Sequence, residues 1–408
     1  MAGRRTGDRD SYPWQRPGAW LWIVIVLGFL LRAWLVVFTE GTTDVLIWEG
    51  HAAGAIQKSL VGYYHANEKM NHPPFVSSVL AHLGWAGHQM DIPFRICLRA
   101  PFALLDAGTA LMLLVLFRAS RWRFVIAAFY WLSPLTIIYS SYHGNTDSAM
   151  AFFLVLTVVL LSRQQVGWAG AVLGMSLWIK LPAVLVLPAI VCWLPRWRAR
   201  AAFAAVMGLV AVSTYVPVLL DDPGVVVHNV FGYRGEAPIN VGGIGAWGVL
   251  LAIPDGARKH IVPLFEYAMQ HNMWICLLPI LLYSWMRRDH CKIDDLGRTI
   301  AGVYVIFYAL THYWAFQYFA WAIPFWFFLG WPFTVAATLL AGGYVYLLYW
   351  LLCDSPWLIG YWNWNGRPDW PAHVLVLRNL SIALFLISAV TVMTQATIDE
   401  VKRRRSGV

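Results

Sequence analysis

Charge is scarce in this chain. Of 408 residues, 12% are charged and 59% hydrophobic, where an ordinary soluble domain carries about 25% charged residues. That shortage excludes a disordered polypeptide and a typical water-soluble enzyme. Cysteine is scarce as well: Cys97, Cys192, Cys276, Cys291 and Cys353 have no paired spacing, so neither a disulfide framework nor a zinc knuckle is indicated. There is no internal repeat, no low-complexity tract, no Walker loop, no G-x-S-x-G and no H-E-x-x-H. Asp8-Arg9-Asp10 forms a D-x-D string, but it lies in a basic arm with no nucleotide-binding unit around it. The net charge of +9 does not imply nucleic acid, because placement matters more than the sum in a chain of this composition.

What the chain has is apolar length. The mean hydropathy is +0.58, and apolar runs recur from Trp20 almost to the C-terminus, the signature of a multi-pass helical membrane protein. The expected architecture is all-α, a bundle of about 12 transmembrane or half-membrane helices. It comprises a cytoplasmic arm (1–18), a single membrane domain (19–396) with outer loops at 39–92 and 221–270, and a basic tail (397–408). Trp20 to Phe38 reads as a retained anchor rather than a signal peptide. Basic clusters at Arg118 to Arg123, Arg163, Arg196 to Arg200, Arg287 to Lys292 and Lys402 to Arg405 mark the cytoplasmic side. The protein is expected in the plasma membrane if bacterial or the endoplasmic reticulum membrane if eukaryotic, with its site on the extracytoplasmic face.

Two runs do not fit a simple span. Gly167 to Leu194 is broken at Lys180-Leu181-Pro182, and Thr299 to Gly330 is broken around Thr311 to Tyr318. Two helices of about 12 residues rise about 18 Å each, short of a hydrocarbon core of roughly 30 Å. Half-helices meeting at a buried turn are expected in both places, since non-helical backbone at depth must be satisfied by protein or a cavity. A single long tilted helix with a proline kink is the simpler alternative.

The first outer loop is the most informative stretch. Thr43 to Leu60 reads as an amphipathic helix whose Val45, Ile47, Trp48, Ala52, Ala55 and Ile56 would meet the interface, with Thr43 as its cap. Asp44 then sits in the first turn. A carboxylate there serves either as a general base or as a partner of the helix dipole. Pro73-Pro74 starts a new helix.

The pattern resembles the GT-C superfamily of integral membrane glycosyltransferases. The residues that carry the likeness are Asp44, Trp48, Tyr63, Tyr64 and Asn71-His72-Pro73-Pro74. Further along come Ser133-Pro134, Tyr142-His143-Gly144-Asn145-Thr146-Asp147-Ser148, Trp178 to Pro182, Tyr233-Arg234-Gly235, Trp247-Gly248, and Gln317-Tyr318 with Trp321 and Pro324. It covers residues 20 to 330. The resemblance implies a polyprenyl- or dolichyl-phosphate sugar as donor, with mannose slightly favoured over glucose, and a lipid-anchored glycan or glycolipid as acceptor. Many relatives carry a second acidic residue beside the catalytic one. Here the neighbours are Thr43 and Val45, which weakens any metal assignment; no metal, other cofactor or nucleic acid is expected, and the protein is expected to act as a monomer among membrane lipids.

Such a transfer needs one carboxylate to take the proton of the acceptor hydroxyl, as the general base of an inverting glycosidase does. A lipid phosphate leaves without a general acid but needs cations or donors for its charge. Asp44 is the expected base. Lys180, Arg99 and Arg234 are expected at the donor phosphate, because intramembrane charges are functional by default. Each has a plainer alternative: Lys180 snorkelling at a helix end, Arg95 and Arg99 pairing with Asp91, and Arg234 pairing with Glu236. His72, Tyr64, His143, Asp147, His312, Gln317 and Tyr318 are expected substrate contacts, with Asp147 alternatively a helix cap. Arg32 and Asp106 are expected to pair with each other, and the aromatic loop Trp357 to Trp370 to stack on sugar or lie on the membrane. The rival reading is a secondary transporter or lipid flippase, which also uses broken helices and buried charge.

Overall fold

The computed structural model describes residues 18–67, 70–232, 263–264, 266–312, 315–360, 362 and 371–406. Among them the chain is all-helical, with no strand. Helices α1 (Ala19–Phe38), α2 (Thr43–Lys58), α3 (Leu60–Ala66), α4 (Pro74–Met90) and α5 (Phe94–Leu116) lead into α6 (Arg123–Leu132) and α7 (Pro134–Ile137). After a π-helical turn, Ile138–His143, come α8 (Asp147–Ser162), α9 (Val166–Ile179), α10 (Leu187–Trp193), α11 (Trp197–Ser213), α12 (Val216–Asp221) and α13 (Pro223–Val226). The C-terminal part holds α14 (Asn272–Met286), α15 (Ile293–Leu310), α16 (Ile323–Trp326), α17 (Trp331–Cys353) and α18 (Ala372–Ser406).

Four of these, α1, α5, α17 and α18, are long and apolar enough to cross a membrane. Helices α6 and α7 with its π-turn form a fifth candidate, bent by 47° where Ser133-Pro134 interrupts the hydrogen-bond ladder. The runs Asp147–Ser162, Val166–Ile179, Leu181–Trp193 and Asn272–Met286 are apolar but shorter. Large side chains face outward along α1 (Trp22, Phe29, Phe38), α14 (Met273, Leu278) and α18 (Ile387, Val390). Apolar surface of this extent is what a lipid-facing protein exposes.

Lipid tails are as apolar as leucine, so close fit and polar ties must hold such a bundle together. Helices α9 and α11 come together at Gly174, where a Cβ would stand 2.7 Å from the Met207 carbonyl. Arg32 and Asp106 pair as expected, at 3.3 Å. Arg32 also donates to the Trp131 carbonyl (2.7 Å) and lies over the Trp131 ring, while Tyr130 donates to Asp106 (3.1 Å). This buried network ties α1, α5 and α6.

Both expected interruptions are present. Helix α9 stops at Ile179, Lys180 is extended (φ −151°), and a 3-10 turn Leu181–Val186 precedes α10. Helix α15 stops at Leu310 and resumes as the 3-10 turn Phe316–Trp321 and short α16. Pro182 and Pro324 begin the new segments because each lacks the N–H that continuing the old helix would require.

The segment 39–92, expected as the first outer loop, folds onto the bundle. Helix α2 spans Thr43–Lys58 and α4 begins at Pro74, both close to expectation. Thr42 precedes α2 in place of Thr43, and its side chain does not cap the helix. The apolar stripe of α2 also departs from the expected interfacial position. Val45, Trp48, Ala52 and Ala55 are buried, the first three in a cluster with residues of α4 and α5; Ile47 and Ile56 remain exposed.

Candidate active site

The turn Gly144–Thr146, between the π-helical segment and α8, organises the site. Gly144 adopts a left-handed conformation (φ +72°), which glycine takes at no steric cost. A Cβ there would approach Val45 Cγ2 to 3.0 Å and Arg99 Cγ to 3.1 Å. Thr42 Oγ1 donates to the His143 carbonyl (2.9 Å), which binds the turn to the start of α2.

Arg99 completes this frame. Its five N–H groups point at five acceptors: the carbonyls of Arg95, Tyr142, Val36 and Thr39, and the Thr39 hydroxyl. It is wholly buried. The expected phosphate contact is therefore corrected: this guanidinium is spent on the main chain and has no donor left for an anion. Asp91 does not pair with it or with Arg95, since Asp91 closes α4 in a left-handed conformation and Arg95 lies 3.6 Å from Glu40.

Asp44 sits in the first turn of α2, and its Oδ2 accepts from Asn145 Nδ2 (2.9 Å). His143 Nε2 lies 3.2 Å from the same oxygen. No described residue bonds Oδ1. Burial opposes ionisation of this carboxyl, but His143, Asn145 and the charge on Lys180 together outweigh it and hold Asp44 below the ordinary aspartate value. Its side chain keeps 33% exposure, against 1% for His143.

Asp147 is the first residue of α8, with a side chain 1% exposed. Its Oδ1 accepts from Lys180 Nζ (2.7 Å) and Trp321 Nε1 (2.5 Å), and among the described residues Oδ2 has no partner. The capping alternative is thus replaced by an ion pair that joins α8 to the break after α9 and to the 3-10 turn. Lys180 does not snorkel: its side chain is 10% exposed, and its ammonium lies 5.9 Å from the ring centres of Tyr318 and Trp321. Those rings stack on each other at 4.3 Å. Tyr308 donates to the Tyr318 carbonyl (2.7 Å), and Tyr139 to that of Phe316, so the turn is docked on α15 and the π-helical segment.

The other wall comes from the first loop. His72 packs against Trp48 (ring centres 4.6 Å apart), and Tyr64 donates to the His72 carbonyl. Burial first, and then the Lys180 charge, push His72 down to about 3, so it is a neutral imidazole at neutral pH. Tyr63 meets His51 Nδ1 (2.5 Å) and accepts from Asn67 (2.7 Å).

Among the expected residues, Asp44, His143, Asp147, Lys180, Tyr318, His72 and Tyr64 therefore form one neighbourhood. His312 donates its main-chain N–H to Asn272 (2.9 Å). Its Nδ1, like Gln317 Oε1, is buried with no partner among the described residues. Arg234, Tyr233, Gly235, Trp247 and Gly248 lie outside the described residues. Of the aromatic loop, Trp362 is 5% exposed and packs on Tyr349 at 4.7 Å. Among the described residues no group of three or more His, Cys, Asp or Glu is arranged to hold a metal.

Sequence reading missed two residues. Trp321 was matched as part of a motif, but its donation to Asp147 was not foreseen. Tyr349, whose hydroxyl lies 2.8 Å from His143 Nδ1, stands beyond the stretch carrying the resemblance. In the sequence it is one aromatic among many in an apolar helix. No protein-family model matches this chain, and no curated protein matches it either.

Proposed function

We propose that this protein is an integral membrane glycosyltransferase that moves a hexose, mannose in preference to glucose, from a polyprenyl-phosphate sugar to a hydroxyl of a lipid-linked glycan or glycolipid. The observation that carries the reading is the Asp44 carboxylate: ionised, partly open, fixed at Oδ2 and unbonded at Oδ1, with the Lys180 ammonium acting on it across the same site. The motif order that resembles the GT-C superfamily supports it. On this reading the shorter apolar helices are half-spans or tilted spans, bringing the bundle to about 12 segments with the site on the extracytoplasmic face.

The acceptor hydroxyl loses its proton to Asp44 Oδ1 while its oxygen bonds to the anomeric carbon. The bond from that carbon to the phosphate oxygen breaks, and the lipid phosphate leaves with the electron pair. Lys180, which spends one N–H on Asp147, has donors left to meet the departing charge. Attack opposite the leaving group inverts the anomeric centre, so a β-linked donor gives an α-linked product. The neutral His72 and the Tyr318–Trp321 stack offer a donor or acceptor and a flat face to a sugar.

The test is incubation of purified protein with short-chain polyprenyl-phosphate mannose or glucose and candidate glycolipids, followed by mass spectrometry. A product heavier by one hexose, lost on Asp44→Asn, supports the reading; absence of transfer across donors and acceptors overturns it. A transporter remains the rival because a buried ion pair sits at a broken helix. Solute uptake by reconstituted protein, without transfer, would decide for it.

A further inference from the structure

Asp44, His143 and Tyr349 form a line of contacts running from the edge of the site into the core. An ionised carboxylate only accepts hydrogen bonds. His143 Nε2 faces Asp44 Oδ2 at 3.2 Å, although it is not aligned on it as a hydrogen bond; a neutral ring held there presents its N–H to the carboxylate rather than a lone pair. In a neutral imidazole the other nitrogen, Nδ1, then has a lone pair and needs a donor. The Tyr349 hydroxyl, 2.8 Å away, supplies it.

The surroundings leave these rings little freedom. His143 is 1% exposed and Tyr349 not exposed at all. Phe316 meets the His143 ring edge-on at 5.6 Å, and Trp362 meets Tyr349 at 4.7 Å. Tyr349 comes from α17, which contributes no other side-chain hydrogen bond to Asp44, Asn145, Asp147 or Lys180 among the described residues. A phenol on a separate helix is thus aimed at the one nitrogen through which the state of His143 can be set.

We propose that Tyr349, acting through a neutral His143, is a positioning residue for Asp44: it fixes His143 as the Nε2–H tautomer, which faces Asp44 Oδ2 and leaves Oδ1 to the acceptor hydroxyl. The inference rests on the reading of Asp44 as the base. Without the hydroxyl, Nδ1 is buried and unpaired, and the tautomer that points a lone pair at the carboxylate becomes accessible. The same logic governs metal-ligating histidines, whose active nitrogen is set by the partner of the other.

The experiment compares Tyr349→Phe, which keeps the ring and removes one oxygen, in the wild-type and His143→Gln backgrounds. In wild type, kcat falls about tenfold, the size of one hydrogen bond's net worth, with KM unchanged. In the His143→Gln background Tyr349→Phe costs nothing further, because the amide has no tautomer to fix. Equal losses in both backgrounds, an unchanged kcat in wild type, or a change confined to KM would overturn the proposal. A second measurement separates this inference from the functional reading. Nitrogen-15 spectra of histidine-labelled protein, with His143→Gln marking the signals of His143, report the tautomer without any substrate. One Nε2–H species in wild type that becomes a mixture in Tyr349→Phe upholds the proposal even if no sugar transfer is found; an unaltered tautomer overturns it even if transfer is robust.

Discussion

Asp44 and Lys180 are held by one short stretch of chain: Asn145 donates to the carboxylate, and Asp147, two residues on, accepts from the ammonium. An acid and a base from distant parts of the sequence are thereby set in fixed relation by a single peptide segment. That segment is itself fixed by Thr42, Arg99 and the left-handed Gly144.

The first prediction concerns the base. Asp44→Asn keeps the shape and can still pair with Asn145 after an amide flip, but it cannot take a proton. Turnover should fall by about 10²–10⁴, while expression and donor affinity stay near wild type. Initial rates and donor binding, measured on the same preparation, check this.

Breaking the buried pair should cost stability in a telling order. Lys180→Met leaves the Asp147 carboxylate enclosed with only Trp321, and removing one partner of a buried pair costs about 3–5 kcal/mol. Lys180→Met combined with Asp147→Asn removes both charges and should be less destabilised than Lys180→Met alone. Thermal melting of the detergent-solubilised variants gives the order; a double variant melting below Lys180→Met would contradict it.

Gly144 never needs to touch a substrate to matter. Gly144→Ala puts a Cβ against Val45 and Arg99 at a positive φ, a strain of about 1–3 kcal/mol. The turn should shift, taking His143, Asn145 and Asp147 with it, so that activity falls more steeply than the melting temperature does. Comparing the two losses with those of a control such as Gly208→Ala, whose Cβ would meet nothing within 4 Å, checks the point.

The pH profile follows from the depressed ionisation of Asp44. A carboxyl held below its unfolded value contributes stability that is present above the ordinary aspartate range and is lost as pH falls through the lower, folded value. As the proposed base it likewise stays ionised through pH 5–8, so Asp44 should place no acidic limb in that window. Asn145→Ala removes one bond to the ionised form and should move the limb upward. A rate profile of the two proteins from pH 3.5 to 8 measures it.

Much of this was legible because the sequence is so poor in charge. In an apolar run Lys180 stands out, and Pro182 beside it signals a break; Asp44 stands out because it opens a helix directly after a membrane-length run. Arg32 and Asp106 paired as two enclosed ions must. Arg99 misled for the same reason: an enclosed arginine invites an anion, and only the coordinates show five protein oxygens already around it. Asp147 looked like a cap because its neighbours along the chain suggest one, whereas its true partners, Lys180 and Trp321, come from two later breaks. Tyr349 could not be singled out at all, since nothing local distinguishes a hydroxyl aimed at His143 from the other aromatics of α17.

Helix α18 is 35 residues long, about 52 Å at 1.5 Å per residue, and so outruns a hydrocarbon slab of roughly 30 Å. Its last turns carry Glu400, which accepts from Arg288 (3.4 Å), Arg404 (2.8 Å) and Arg403, anchoring the helix to the turn after α14. Arg403 of the same helix also pairs with Asp289 in that turn, and Asp289 is 59% exposed, so part of this foot is fastened by an ion that water and electrolyte can reach. Raised ionic strength should slacken the vertical register of α18 against α14, while the enclosed Lys180–Asp147 link goes untouched: a single molecule with one brine-sensitive end and one indifferent one.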